Sequence, residues 1–159
     1  YWAGLRLVLR PDIPWLVREH RGAMDLVNSL LNYGYGILQS QVQQAIMLAG
    51  LDPFGGFLHA DRPGKPSLVL DLIEEFRAPV VDRVVISALN LGQAFEIEEG
   101  RLTPEARGAY SKRIMERLNA LEVFEGKRFQ LRTIIQMQAR AAASFVRGER
   151  PYQPFLARW

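Results

Sequence analysis

GAMDLVNSLLNYGYGILQSQVQQAIMLAG, residues 22–50, decides the fold. Its apolar positions Val27, Leu30, Leu31, Leu38, Val42, Ala45, Ile46 and Ala49 recur at helical spacing, with Gly34 on the same stripe. One long helix from Gly22 to Ala49 is expected, stopped by Gly50. Gly34 and Gly36 each cost about 1 kcal/mol relative to Ala inside a helix. They mark either close packing against another backbone or a kink.

On the C-terminal side, LDPFGG is turn-rich and ADRPGKP reads as a loop. Ser67 is the expected N-cap of a helix running through Phe76. Leu68, Val69, Leu72, Ile73 and Phe76 form its apolar face. Asp71, Glu74 and Glu75 fall together on the opposite arc, since residues three and four apart are helical neighbours. RAPVVDRVVISALNLGQAF is expected to be helical after Pro79. FEIEEGRLT reads as a small hairpin around Glu99-Gly100. Thr103-Pro104-Glu105 looks like a capped helix start with proline at the first helical position. Helices are expected over 104–122 and 126–147, then an extended tail, RPYQPFLARW, whose aromatics dock on the body. Residues 1–159 thus read as one all-α domain, a helical bundle. Its expected core includes Val27, Leu31, Leu38, Ile46, Leu72, Ile73, Phe76, Val84 and Ile134.

Composition narrows the chemistry. The chain is 48% hydrophobic and 23% charged, an ordinary globular balance. It has no cysteine, which excludes disulfide frameworks, cysteine-based zinc sites and thiol nucleophiles. No apolar run approaches the ~18 residues of a membrane span, so a cytoplasmic, membrane-free protein is expected. The start, YWAGLRLVLRPDIPW, has no initiator Met and no signal-peptide pattern, and reads as a cut in a longer protein. The net charge of +3 conceals an asymmetry: residues 126–159 carry +6, leaving −3 on the rest. Seventeen of the twenty basic residues are arginine, the side chain suited to forked phosphate contacts. That excess points to nucleic acid or simply to arginine-rich codon usage.

Only two histidines are present. His59 follows a Gly-Gly turn and is followed by Asp71 and Glu74, one imidazole and two carboxylates of a kind that suits Mg²⁺ or Mn²⁺. The same spacing also describes a packing histidine beside a solvated helix face. Arg77, one turn beyond Glu74, is either its ion-pair partner or a donor to phosphate. His20, between Arg18 and Arg21, lacks a carboxylate constellation and reads as surface. Tyr33 and Tyr35 read as packing residues, with a hydroxyl role in reach if their helix borders a site. No Ser-His-Asp order, P-loop or dinucleotide glycine motif is present.

Three ordered motifs, DLVNSLLNYGYGIL, AIMLAGLDPFGGFLH and GKPSLVLDLIEEFRAPVVDRVV, with a terminal YQPF, resemble the CRISPR-associated adaptation integrase family. The likeness runs from about residue 20 to the end and is to that family's helical C-terminal catalytic domain. The family's N-terminal β-rich domain, which supplies most of its homodimer contact, is not in this chain. The resemblance implies a metal-dependent DNA endonuclease/integrase that inserts spacers into CRISPR arrays by transesterification. It implies His59 and Glu74 as Mg²⁺ or Mn²⁺ ligands, with Asp71 in the acidic pocket beside them. Many relatives have Asp where Glu74 stands. It also implies a third ligand, a glutamate upstream of an aromatic pair like Tyr1-Trp2, and hence a piece inactive by itself. The implied partners are spacer-precursor and repeat DNA, a second copy of the parent and a second, small adaptation protein. Arg77, Arg132 and Arg140 are the expected phosphate contacts. The rival reading is a non-enzymatic helical nucleic-acid-binding module.

Overall fold

Val27, Leu30, Leu31, Leu38, Val42 and Ile46 are each at most 1% exposed, and the remaining helices are arranged around them. A computed structural model describes residues 1–59 and 64–157. The long helix, α2, runs Leu26–Leu48, shorter at its start than the stripe implies. Gly22 has a positive φ of 69°, and Asp25 caps the helix by accepting from the Asn28 amide at 2.9 Å. Gly50, with φ 75°, closes the other end.

The helix passes straight through Gly34, and the reason for glycine is packing. A β-carbon there would lie 2.6 Å from Tyr110 Oη and 2.7 Å from Val81 Cγ1. Gly36 has nothing within 4 Å of such a carbon. Close approach therefore explains only the first glycine of the pair.

A short helix, α1 (Trp2–Val8), precedes α2 and was not legible in the sequence. α3 (Ser67–Phe76) follows it, and Ser67 is the first helical residue rather than the cap, which falls on Pro66. α3 continues into a π-helical turn, Arg77–Asp82, and then α4, Arg83–Asn90. Pro79 explains the widening. It has no N–H to give the carbonyl four residues back, so the turn takes an extra residue, and the Arg83 amide reaches Ala78.

β1 (Ile97–Glu98) and β2 (Arg101–Leu102) form the expected hairpin, pairing Ile97 with Leu102 and Glu98 with Arg101. Thr103 caps α5 (Pro104–Asn119), accepting from the Ala106 amide at 3.3 Å. The expected helices over 104–122 and 126–147 need correction. Between them lies a second hairpin, β3 (Leu121–Phe124) and β4 (Lys127–Gln130), and α6 begins only at Leu131, ending at Val146. Glu125 and Gly126 have φ of 49° and 74°, as Glu99 and Gly100 have 48° and 73°. Two successive positive φ values form a tight hairpin turn that no helix can continue through.

The architecture is mostly helical, with α3, α5, α6 and the π-helical turn packed on α2. All nine expected core residues are buried. The tail docks as anticipated: Phe155 stacks on Phe76 with centroids 5.5 Å apart and meets Phe124 edge-on at 5.9 Å. Among the described residues no helix is long and apolar enough to cross a membrane.

Candidate active site

The Gly55-Gly56 turn lies against the first residue of α3. A β-carbon on Gly56 would sit 2.5 Å from Ser67 Cβ and 3.0 Å from the His59 carbonyl, so only glycine fits without displacement. The Leu68 amide donates to the Pro53 carbonyl at 3.1 Å, tying the same turn to the helix. From this anchor the amides of Phe57, Leu58 and His59 all donate to the Asp71 carboxylate, at 2.6, 3.0 and 3.0 Å. His59 Nδ1 lies 2.5 Å from Asp71 Oδ1.

Asp71 is thereby committed. Burial disfavours its charged form, but the Leu58 and Phe57 amides, the His59 ring and the His59 amide outweigh that and hold its carboxyl below the usual carboxylate range. Both its oxygens are occupied, so Asp71 orients rather than ligates. When Nδ1 carries the proton shared with Asp71, Nε2 of His59 keeps its lone pair for an electrophile, the usual arrangement of a metal-bound histidine. Residues 60–63 of the connection from His59 to α3 lie outside the described residues.

Glu74 stands one turn along α3, 54% exposed at its side chain, and its Oε1 accepts from Arg77 Nη1 at 2.8 Å. An imidazole nitrogen and an exposed carboxylate are the right donors in kind for a hard divalent cation. They are two donors where such ions take about six. Among the described residues no three His, Asp or Glu side chains form a metal-holding group. These residues fit a cation as part of a larger ligand set, not as a complete one.

Arg77 is held by more than Glu74. Its guanidinium lies 4.4 Å from the Tyr35 ring centroid and 5.7 Å from that of Trp2. Arg18 lies 5.6 Å from each of the same two rings and donates to Asn32 Oδ1 at 2.7 Å and Asn28 Oδ1 at 3.1 Å on α2. Beneath them Asp82, from the π-helical turn, accepts from the hydroxyls of Tyr1 and Tyr35. Burial pushes the Asp82 carboxyl upward despite those two bonds. His20 sits beside this group, 3.3 Å from Arg18 Nη2 through its Nδ1. Partial burial, then the charges of Arg18 and Arg77, lower its pKa.

Of the residues singled out in the sequence, His59 meets Asp71, and Glu74 meets Arg77. Glu75 serves neither: it accepts from Gln138 Nε2 at 2.8 Å, from the Phe155 amide at 2.8 Å and from the Tyr152 hydroxyl, so it pins the tail. Arg132 and Arg140 are exposed on α6 and form no ion pair among the described residues. Trp2, Arg18 and Asp82 were not legible as members of the site. For Asp82 the signal was present as a lone acid inside the apolar run Val80-Val81-Asp82-Arg83-Val84-Val85.

Comparison with known proteins gives this geometry a context. A family model described as CRISPR associated protein Cas1 matches residues 1–116. The chain is 38% identical to a CRISPR-associated endonuclease Cas1 of Archaeoglobus fulgidus, over 100% of this chain and 50% of that protein. A casposase bound to its integration product superimposes with TM-score 0.85 at 29% identity, over 94% of this chain and 47% of that one. A chain of a Cas6-RT-Cas1–Cas2 complex gives TM-score 0.76 at 26% identity, over 91% of this chain and 16% of that one. The chain spans about half the length of the curated relatives it matches.

Proposed function

Because the chain belongs to the CRISPR associated protein Cas1 family, we propose that it forms the catalytic part of a metal-dependent DNA endonuclease/integrase that inserts spacers into CRISPR arrays. The observation that carries this reading is the His59–Asp71 pair, tied by three loop amides beside Glu74 and Arg77. His59 through Nε2 and Glu74 through its carboxylate would hold Mg²⁺ or Mn²⁺, together with at least one anionic ligand from outside residues 1–159. When bound, the cation would neutralise non-bridging phosphate oxygens and stabilise the leaving alkoxide. Asp71 fixes the tautomer and tilt of the His59 ring. Arg77 holds a phosphate oxygen of the strand being cut or joined, with Arg132 and Arg140 following the backbone elsewhere.

The partners proposed are spacer-precursor DNA, CRISPR-repeat DNA, a second copy of the protein and the small Cas2 protein. The neighbours support the DNA and Cas2 partners in kind, one being a casposase with its integration product and another a complex containing Cas2. The deciding experiment is Mn²⁺-dependent cleavage and joining of DNA by the full-length protein. Activity should vanish with His59→Ala and with Glu74→Ala. Full activity of the double variant would sink the reading. Tight DNA binding without any metal-dependent cleavage would favour the non-enzymatic module instead.

A further inference from the structure

Asp82 is the one acidic residue among the described residues that is fully buried, at 1% exposure, and no cation lies within ion-pair distance of it. Its oxygens accept instead from two phenols brought from different elements, Tyr1 ahead of α1 and Tyr35 on α2. A buried carboxylate served only by neutral donors is costly, and simple packing would be met more cheaply by an apolar side chain. Both phenols lead to one place. The Tyr35 ring faces the Arg77 guanidinium at 4.4 Å. The Tyr1 ring meets Trp2 edge-on at 4.9 Å, and Trp2 covers the same guanidinium at 5.7 Å.

We propose that Asp82 is a positioning residue for Arg77: by holding both phenol hydroxyls from within the π-helical turn, it fixes the two aromatic faces that orient the Arg77 guanidinium toward DNA phosphate. The proposal rests on the phosphate-holding role given to Arg77 above. The salt bridge to Glu74 cannot do this alone, because Glu74 is largely exposed and engages only Nη1. With the plane set by Tyr35 and Trp2, the remaining donors of Arg77 stay aimed when Glu74 turns to another partner. Asp82 has a second effect. Arg18 and Arg77 share the same two rings, and the Asp82 charge offsets the repulsion between them.

The test uses the full-length protein without divalent metal. Two readouts apply: the Nε–H resonance of Arg77, and affinity for a short DNA duplex by fluorescence anisotropy. Arg77→Ala should weaken binding about tenfold, the scale of one charge-assisted bond. Asp82→Ala should move the Arg77 resonance to its free-solvent position and weaken binding by about threefold to tenfold. In the Arg77→Ala background, Asp82→Ala should add nothing. Asp82→Asn, whose amide can still bond both phenols, should restore resonance and affinity to within about twofold. If Asp82→Ala fails to fold, Tyr1→Phe, which keeps the ring and removes its tie to Asp82, should give the same displaced resonance. An unmoved Arg77 resonance in a folded Asp82→Ala or Tyr1→Phe protein overturns the proposal, as do additive losses of affinity. Neither readout needs cleavage, so an inactive wild-type protein would count against the integrase reading and leave this one standing.

Discussion

Asp71 Oδ1 and His59 Nδ1 lie 2.5 Å apart, and the same carboxylate receives the amides of Phe57, Leu58 and His59. One acid therefore sets both the course of the loop and the direction of the ring it presents. Removing it as Asp71→Ala should cost about 1.5–3 kcal/mol, the scale of hydrogen bonds to a charged group. Urea unfolding of variant and wild type would measure that loss. Asp71→Asn keeps one good acceptor and should cost less. A variant as stable as wild type would show that the loop holds itself.

The two helix glycines should answer oppositely to alanine. Gly34→Ala drives a methyl into Tyr110 and Val81, side chains that are themselves fully buried and cannot retreat, and should destabilise by about 1–3 kcal/mol. Gly36→Ala meets open space at ordinary helical backbone and should stabilise by about 0.4–1 kcal/mol. The sign difference in paired urea titrations is the check.

Asp82 gives a pH signature. Its folded pKa is raised, chiefly by burial, so the native state binds the proton more readily than the unfolded chain. Its contribution is fully present below the ordinary carboxylate value of about 3.9 and is lost as pH rises through the raised folded value. Asp82→Asn removes that loss. The stability of Asp82→Asn relative to wild type should climb as pH rises above the ordinary carboxylate value of about 3.9. A flat difference would mean that the two phenols fully compensate the buried charge.

The helical core was legible because its signal is local. Val27 to Ile46 repeat every three or four residues, and Leu72, Ile73 and Phe76 do the same on α3. The β3–β4 hairpin escaped because Leu121–Phe124 and Lys127–Gln130 are too short to show an alternation against the helices on either side. The deciding feature was the Glu125-Gly126 turn, the same dipeptide recognised at Glu99-Gly100. For the candidate site, the spacing of His59, Asp71 and Glu74 marked the place but left a metal site and a packing histidine beside a solvated helix face both open. The division of labour among the acids depends on tertiary contacts. Asp71 faces the loop, Glu74 faces Arg77 and Glu75 faces Phe155, although all three share one helical arc.

Arg132 and Arg140 should act on DNA through charge alone. Both are exposed on α6 and free of ion pairs among the described residues, so each can neutralise a phosphate. Replacing both with alanine should weaken binding equally across unrelated sequences and flatten the log–log salt dependence by about two units. Unchanged affinity at low and moderate salt would take α6 off the DNA path.

The donor count carries the last prediction, which rests on the integrase reading. Among the described residues the site offers a cation one imidazole nitrogen and one exposed carboxylate, because Asp71 is spent on the loop and Glu75 on the tail. A two-donor site leaves a hard cation mostly hydrated and mobile, and places too little positive charge beside the scissile phosphate. Residues 1–159 alone should therefore bind Mn²⁺ weakly by calorimetry and show no cleavage. The full-length protein, supplying a further carboxylate, should bind it more tightly and cut, and His59→Ala should remove both properties together. Loss of cutting with Mn²⁺ affinity intact would assign His59 to proton transfer rather than to the metal. Metal-dependent cleavage by residues 1–159 alone would show that no ligand from outside them is needed.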